Sequence, residues 1–370
     1  MKAKEQITVE ITKQLKEDMF SALIYAIKEN KQDMVRLFIN LGVDVCKNKN
    51  EALKQAIFYE RIEIVKMLLE VGADASANNN EFIKQAVYWR NLELIKLLIS
   101  YGADAAVDNS CLVAIASFDE EPEIVLTLIK YGADPKVDDN KALFNAVKND
   151  NVNVVYVLKQ AGVNLTIKDN LALKIALEND SYRMVKLLLK YKADKILMLN
   201  PVKKENLTMT KIFLDANADP DYNNGIYLIE AIKNNNYEIV KLLVEYGANI
   251  NISNCYPLKL AIELGFTKIA EFLIIKGARL DNQDDKSFYL ACRKGYTDIV
   301  RKLLKQVDLN IYGQESLILA VRNRHMVIVE MLLSAGVDPK FDNSKAIKIA
   351  HDKGYTEIIR IIKEYIEKIA

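Results

Sequence analysis

Apolar and polar positions along the chain follow two helical phases that recur every thirty residues. The segments NEALKQAIFYERIEIVKMLLEVGAD from Asn50, NEFIKQAVYWRNLELIKLLISYGAD from Asn80 and NKALFNAVKNDNVNVVYVLKQAGVN from Asn140 lie over one another without gaps. In each, a short apolar stretch carries Leu53, Ile83 or Leu143 three residues before a small alanine. A polar break such as YERIE or KNDNVN follows. A second stretch then places apolar residues at helical spacing, as in Leu94, Ile95, Leu98 and Ile99. The pattern predicts two helices per unit, each with one apolar face.

The alanine marks the phase at Ala26, Ala56, Ala86, Ala116, Ala146 and Ala176, and again at Ala231, Ala261, Ala291, Ala320 and Ala350. A glycine sixteen residues later recurs at Gly42, Gly72, Gly102, Gly132, Gly162, Gly247, Gly277 and Gly336. Glycine enters the left-handed region without steric cost, so this residue is expected to end the second helix. Asn50, Asn80, Ser110, Asn140, Asn170, Asp285 and Ser344 share one phase and are expected to cap the first helix. Such helix pairs cannot bury their apolar faces alone, whereas a stack of them can.

This phase and these residues resemble the ankyrin repeat family. PLKLA at Pro257 to Ala261 is similar to the family's T-P-L-H-x-A motif, with Tyr256 for threonine and Lys259 for histidine. KGYTDIVRKLL at 294–304 and KGYTEIIRII at 353–362 resemble its turn and second helix. The resemblance covers residues 21 to 366. It implies an all-α solenoid of about twelve units. The usual period is about 33 residues, and the missing residues fall where the family places a β-hairpin finger. Shortened loops with little or no β-strand are therefore expected. Short-loop, asparagine- and lysine-rich arrays are similar to those of large DNA viruses and intracellular bacteria.

The register breaks between Ala176 and Ala231, where the interval is 55 residues and Pro201 falls in the alanine slot. Lys192 and Asn217 replace terminal glycines there. Proline inside a helix costs about 3 kcal/mol. Either a shortened first helix or a new start capped by Asn200 is expected. The domain plan is a capping helix over 1–20, an N-terminal arm over 21–194, a degenerate repeat with a bend over 195–220, and a C-terminal arm with its own capping helix over 221–370. One degenerate but well-packed repeat is the alternative to the bend.

Composition narrows the chemistry. Fifty-one basic residues against fifty acidic ones leave a formal net charge of +1, without the basic excess that nucleic-acid binding or a polybasic membrane anchor requires. No apolar run approaches the roughly 20 residues that span a bilayer. Cys46, Cys111, Cys255 and Cys292 lack metal or redox spacing, and the only histidines are His325 and His351. No phosphate loop, nucleophile elbow or zinc-protease motif is present. The acidic run DEEPE at 119–123 reads as a solvated turn with Pro122 opening a helix. The reading is a non-enzyme without cofactor or metal, a monomer in a reducing cytoplasm.

What remains is surface. The positions two and three after the phase alanine are polar in most units, as in Lys148 and Asn149 or Glu178 and Asn179. In units two to four they are Phe58 and Tyr59, Tyr88 and Trp89, then Phe118, with Arg90 alongside. These residues form a candidate partner-binding column, since such side chains dominate interface energetics. Packing of the rings on one another is the competing account. The family resemblance implies a scaffold or adaptor that binds a protein partner, a host protein included, through a concave first-helix surface. A structural spacer or self-assembling array is the alternative.

Overall fold

The computed structural model describes residues 2–280 and 286–369. Asp285, one of the expected caps, and the side chain of Ser110 lie outside what it describes. The described residues form twelve helix pairs and no strand. They fall into two compact blocks, Met1–Ala193 and Asp194–Ala370.

In the N-terminal block each repeat pairs an inner helix with an outer one, as Lys47–Phe58 with Ile62–Glu70 and Ala77–Tyr88 with Leu92–Ser100. Inner helices pack against the inner helices of the next repeat, and outer against outer. The phase alanines Ala56, Ala86, Ala146 and Ala176 are wholly buried at these crossings, with Leu53, Ile83, Leu143 and Leu173 beside them. A small residue there lets neighbouring helices approach to the close end of the ~8–10 Å range. Residues 2–20, expected as a separate cap, continue into the first inner helix, Lys2–Lys28.

The loops hold a device that differs from the expected caps. Three successive residues adopt left-handed helical angles before the inner helix turns right-handed. They are Asn48–Asn50, Asn78–Asn80, Asp138–Asn140 and Lys168–Asn170, with φ between 50° and 63°. The C-terminal block repeats this at Asn223–Gly225 and Ser253–Cys255. A helix cap needs extended backbone, so Asn50 and Asn80 at φ 62° and 58° are not caps. Their side-chain oxygens instead accept the backbone N–H of Asp74 and Asp104, in the loop that closes the same repeat, at 2.9 and 2.7 Å. The tight left-handed turn takes the place of the hairpin finger that the short period leaves no room for.

The aspartate or asparagine two residues after most helix-ending glycines completes the loop. Asp74 and Asp104 accept the N–H two residues on, from Ser76 and Ala106, at 2.8 Å each, and Asp44, Asp134, Asn164 and Asp338 do the same. Where Gly225 and Cys255 occupy the third left-handed position, that position has no amide acceptor. Asp221 and Asn251 supply it instead, to Asn249 and Arg279 at 2.7 and 2.8 Å. A Cβ at Gly225, φ 69°, would sit 3.0 Å from the Ile252 side chain, so a larger residue there would need Ile252 to shift.

The C-terminal block opens with the degenerate repeat. Its inner helix is shortened to Leu199–Lys203, led by a 3-10 turn over Lys195–Met198 that Asp194 caps through Ile196 N–H at 2.9 Å. Pro201 therefore stands in the first turn of the helix, where its missing N–H costs little. Met198 and Val202 are fully buried and Tyr227 donates to the Ile196 carbonyl, so the repeat is packed rather than frayed. Lys192 and Asn217 take the left-handed angle of the glycines they replace, at φ 67° and 60°. In the eleventh repeat the left-handed turn is absent. Leu309–Arg322 runs as one helix, with Asp308 accepting from Asn310 N–H at 2.9 Å.

Candidate protein-binding face

The inner helices of repeats two and three end on Phe58 and Tyr88, and that of repeat four ends just before Phe118. Successive helical residues point about 100° apart. One residue after the phase alanine, Ile57, Val87 and Ser117 are buried. The next residue is therefore swung into solvent, and Phe58, Tyr88 and Phe118 are all exposed, Tyr88 by 76%. Elsewhere that slot holds Lys28, Lys148, Glu178 or Lys233, also exposed. The third residue, Tyr59 or Trp89, is the helix C-cap and is half-buried.

The column thus divides into two rows. Tyr59 meets Phe58 edge-on with ring centroids 5.2 Å apart. No ring-to-ring contact joins Phe58, Tyr88 and Phe118 to each other among the described residues. Tyr88 and Phe118 have no ring-to-ring contact among the described residues, while Phe58 packs edge-on with Tyr59.

The turns that carry the rings are fixed from both sides. Arg61 and Asn91 donate their backbone N–H to the phase alanine carbonyls of Ala56 and Ala86 at 2.8 and 3.0 Å, and in the fourth repeat Asp119 N–H reaches the Ala116 carbonyl at 3.4 Å while Asn151 Nδ2 donates to the Ser117 carbonyl at 3.2 Å. Asn91 Oδ1 caps the outer helix through Leu94 N–H at 2.9 Å. Arg61 Nη2 reaches the Lys28 carbonyl of the preceding repeat at 3.4 Å. Arg90, at left-handed φ 59°, pairs with Asp119 at 2.5 Å and ties the third turn to the fourth. Lys84 pairs with Asp108 and, through that hydrogen bond, holds the Asp108 carboxyl below its ordinary range. Sequence reasoning missed both cross-repeat pairs. Arg90 and Asp119 lie one position apart in the thirty-residue phase, so opposite charge in adjacent units was their signal; Lys84 and Asp108 are six positions out of phase and gave none.

Other polar groups have structural partners. His325 Nε2 lies 2.9 Å from the Arg293 carbonyl of the preceding repeat. His351 is exposed on the last inner helix. Pro122 opens the helix Pro122–Lys130. Cys292 is wholly buried beside the phase alanine, and burial pushes its thiol up to about 12. Cys46 is exposed and donates to the Gly72 carbonyl at 3.2 Å. A maleimide reagent is expected to modify Cys46 in the native protein and Cys292 only after unfolding, because the thiolate is the nucleophile and must be reached. Peptide mapping after timed alkylation, with and without denaturant, checks the order. Among the described residues no group of His, Cys, Asp and Glu could hold a metal ion, and no helix is long and apolar enough to cross a membrane.

An all-helical array of stacked helix pairs is the architecture of a repeat protein. The protein-family model described as "Ankyrin repeats (3 copies)" matches residues 3–80, 111–198, 197–284, 258–343 and 288–369. The chain belongs to the ankyrin repeat family, whose arrays are in general protein–protein interaction modules. No curated protein matches it. Solved structures similar to it include the ankyrin repeat domain of Bcl-3, a member of the IkappaB family, at 21% identity and TM-score 0.43, covering 51% of this chain and 97% of that one. The ankyrin repeat protein EF0377 is 27% identical at TM-score 0.39, over 47% and 100% of the two chains. An ankyrin repeat domain from Acinetobacter baumannii is 22% identical at TM-score 0.39, over 46% and 98%.

Proposed function

We propose that the chain is a non-enzymatic scaffold or adaptor that docks a protein partner on the inner-helix face of its N-terminal block. Phe58, Tyr88 and Phe118 are the anchors, backed by Tyr59, Trp89 and Arg90. One observation carries the reading: three exposed rings fill the same slot in three adjacent repeats, where other repeats expose lysine or glutamate. A side chain selected only for solubility at the end of an exposed turn would be polar. Rings held on hydrogen-bonded turns bury large area at low entropic cost when a partner covers them. The short-loop character of the array suggests a host protein met in the cytoplasm.

The test is affinity capture with the full chain against the triple variant Phe58→Ala, Tyr88→Ala, Phe118→Ala. The variant is expected to keep the melting temperature of the parent, since all three side chains are exposed. Hot-spot truncations cost about 2 kcal/mol or more each, so specific partners should fall from the bound fraction. Equal capture by parent and variant rejects the reading. If the parent instead elutes as concentration-dependent oligomers in light scattering, the self-assembling alternative takes its place.

A further inference from the structure

The turns of repeats ten to twelve carry cations that the fold leaves without counter-charges. Arg293 and Lys294 close the inner helix Ser287–Lys294, and Arg322 closes Leu309–Arg322. Arg324 follows two residues later, and Lys353 is the C-cap of Phe341–Asp352. All five are exposed, and none forms an ion pair among the described residues. The carboxylates in the first turns of the neighbouring outer helices are engaged within their own helices, Asp298 with Arg301 at 3.5 Å and Glu357 with Arg360. Asp352 is the one acidic residue in this row of turns.

A lysine or arginine at the end of a helix answers the helix dipole, but Arg324 lies beyond its helix, at left-handed φ 62°. Its counterpart in the third repeat, Arg90, holds the same left-handed turn position and pairs with Asp119 of the next turn. In the twelfth repeat the slot of Asp119 is filled by Lys353. The slots that hold an ion pair in one block therefore hold two cations in the other. Like charges repel until an anion lies between them. The backbone under this row is fixed. Tyr296 and His325 lie over the glycines of the preceding turns, where a Cβ on Gly265 or Gly295 would meet them at 2.7 or 2.6 Å. The Arg324 guanidinium lies 5.6 Å from the centre of the Tyr355 ring.

We propose that this row is a docking site for an extended acidic segment of a partner protein. One of its carboxylates takes the place of the missing Asp119 equivalent, between Arg324 and Lys353, and others meet Arg293, Lys294 and Arg322. Guanidinium groups suit carboxylates because they bind them with two parallel hydrogen bonds. Stacked helices lie about 8–10 Å apart, so three turns span about 20 Å, the reach of about six extended residues. Glu263 and Glu315 line a hollow beside Arg293 and Lys294, together with Leu290 and Leu319. An acidic segment therefore runs along the turns and not into that hollow. A nucleic acid fits less well, because the net charge of +1 leaves the cations local rather than part of a broad basic surface. The row uses none of the ring-bearing residues.

The probe is a fluorescein-labelled peptide of about eight glutamates, long enough to cross three turns, read by anisotropy with the full chain at low salt. Saturable binding that weakens as sodium chloride rises is expected. Arg322→Glu with Arg324→Glu should weaken it at least about tenfold, equivalent to about 1.4 kcal/mol. Lys66→Glu with Lys96→Glu changes the net charge equally at two exposed lysines of the N-terminal block and should bind as the parent does. If the arginine variant melts lower than the parent, Lys294→Gln with Arg322→Gln tests the row without Arg324 and should also weaken binding. The proposal is overturned by absent binding, by equal weakening in the lysine control, or by an oligouridylate of equal charge binding more tightly at the same arginines. It is also overturned if sedimentation shows the free chain self-associating and the arginine variant abolishes that assembly. The ring triple variant should bind the peptide normally, so failure here leaves the ring-bearing face untouched.

Discussion

Replacing Asn78, Asn79 and Asn80 together with valine is expected to destabilise the N-terminal block by at least about 3 kcal/mol, since each ordinary L-residue pays roughly 1–2 kcal/mol to adopt left-handed helical angles. All three residues hold φ of 56° to 59°. Asparagine tolerates that region because its short amide bonds locally, while a β-branched side chain crowds the backbone there. The substitution also removes the amide of Asn80 that accepts Asp104 N–H at 2.7 Å. The matched control is glycine at Asn78 and Asn79 with Asn80 kept. It satisfies the dihedral angles and leaves the Asn80 bond in place; like the valine variant it removes the donations of Asn78 Nδ2 to the Lys49 carbonyl and of Asn79 Nδ2 to Asp108, and it adds the entropy of two glycines. Urea melts of the two variants against the parent check the ordering. Equal loss in both would mean that the left-handed turn is not what the asparagines are there to form.

That turn also marks where the sequence stopped being legible. The thirty-residue period, the alanine and the terminal glycine each follow from one physical need, so pattern alone located both helices of nearly every repeat. Asparagine at position 50 or 80 answers two needs. It is favoured as a helix cap and in the left-handed region alike, and the loop length did not choose between them. The distinguishing signal lay in neighbours: Asn78-Asn79-Asn80, Asp138-Asp139-Asn140 and Asn223-Asn224-Gly225 are triplets of residues tolerant of positive φ, whereas a cap needs only one. The aspartate of each loop was visible as a repeated letter, but its bond to the N–H two residues on needed the backbone path.

The candidate face was legible to about the same depth. The slots of Phe58, Tyr88 and Phe118 were assigned from phase, but the split between them and Tyr59 or Trp89 was not. A helix turns through about 100° per residue; with both Ala56 and Ile57, or Ala86 and Val87, facing the core, the next residue points nearly straight out and the one after it swings back toward the stack. The cations of the last three turns were read simply as polar residues in their slots. That Arg324 lacks a counter-charge becomes visible only when it is set beside the Arg90–Asp119 pair.

The inner helix Ala77–Tyr88 puts the contrast between stability and recognition within six residues. Phe82 is 0% exposed. Phe82→Ala is expected to cost about 3–5 kcal/mol, the transfer of a whole ring plus the cavity it leaves. Adjacent repeats share that interface, so the loss should spread beyond the third repeat as lowered cooperativity of the melt, because each repeat is stabilised by its neighbours. Tyr88→Ala, at the solvent end of the same helix, should change stability by no more than about 0.5 kcal/mol, as exposed sites without special roles do. Its effect should fall on partner capture instead. Guanidinium unfolding of the two single variants, followed by circular dichroism, separates the cases. A large loss at Tyr88 would mean that its ring supports the fold after all and would weaken the case for the docking face. A small loss at Phe82 would mean that the stack can collapse around a missing ring, which close-packed inner helices with alanine at the crossing leave little room to do.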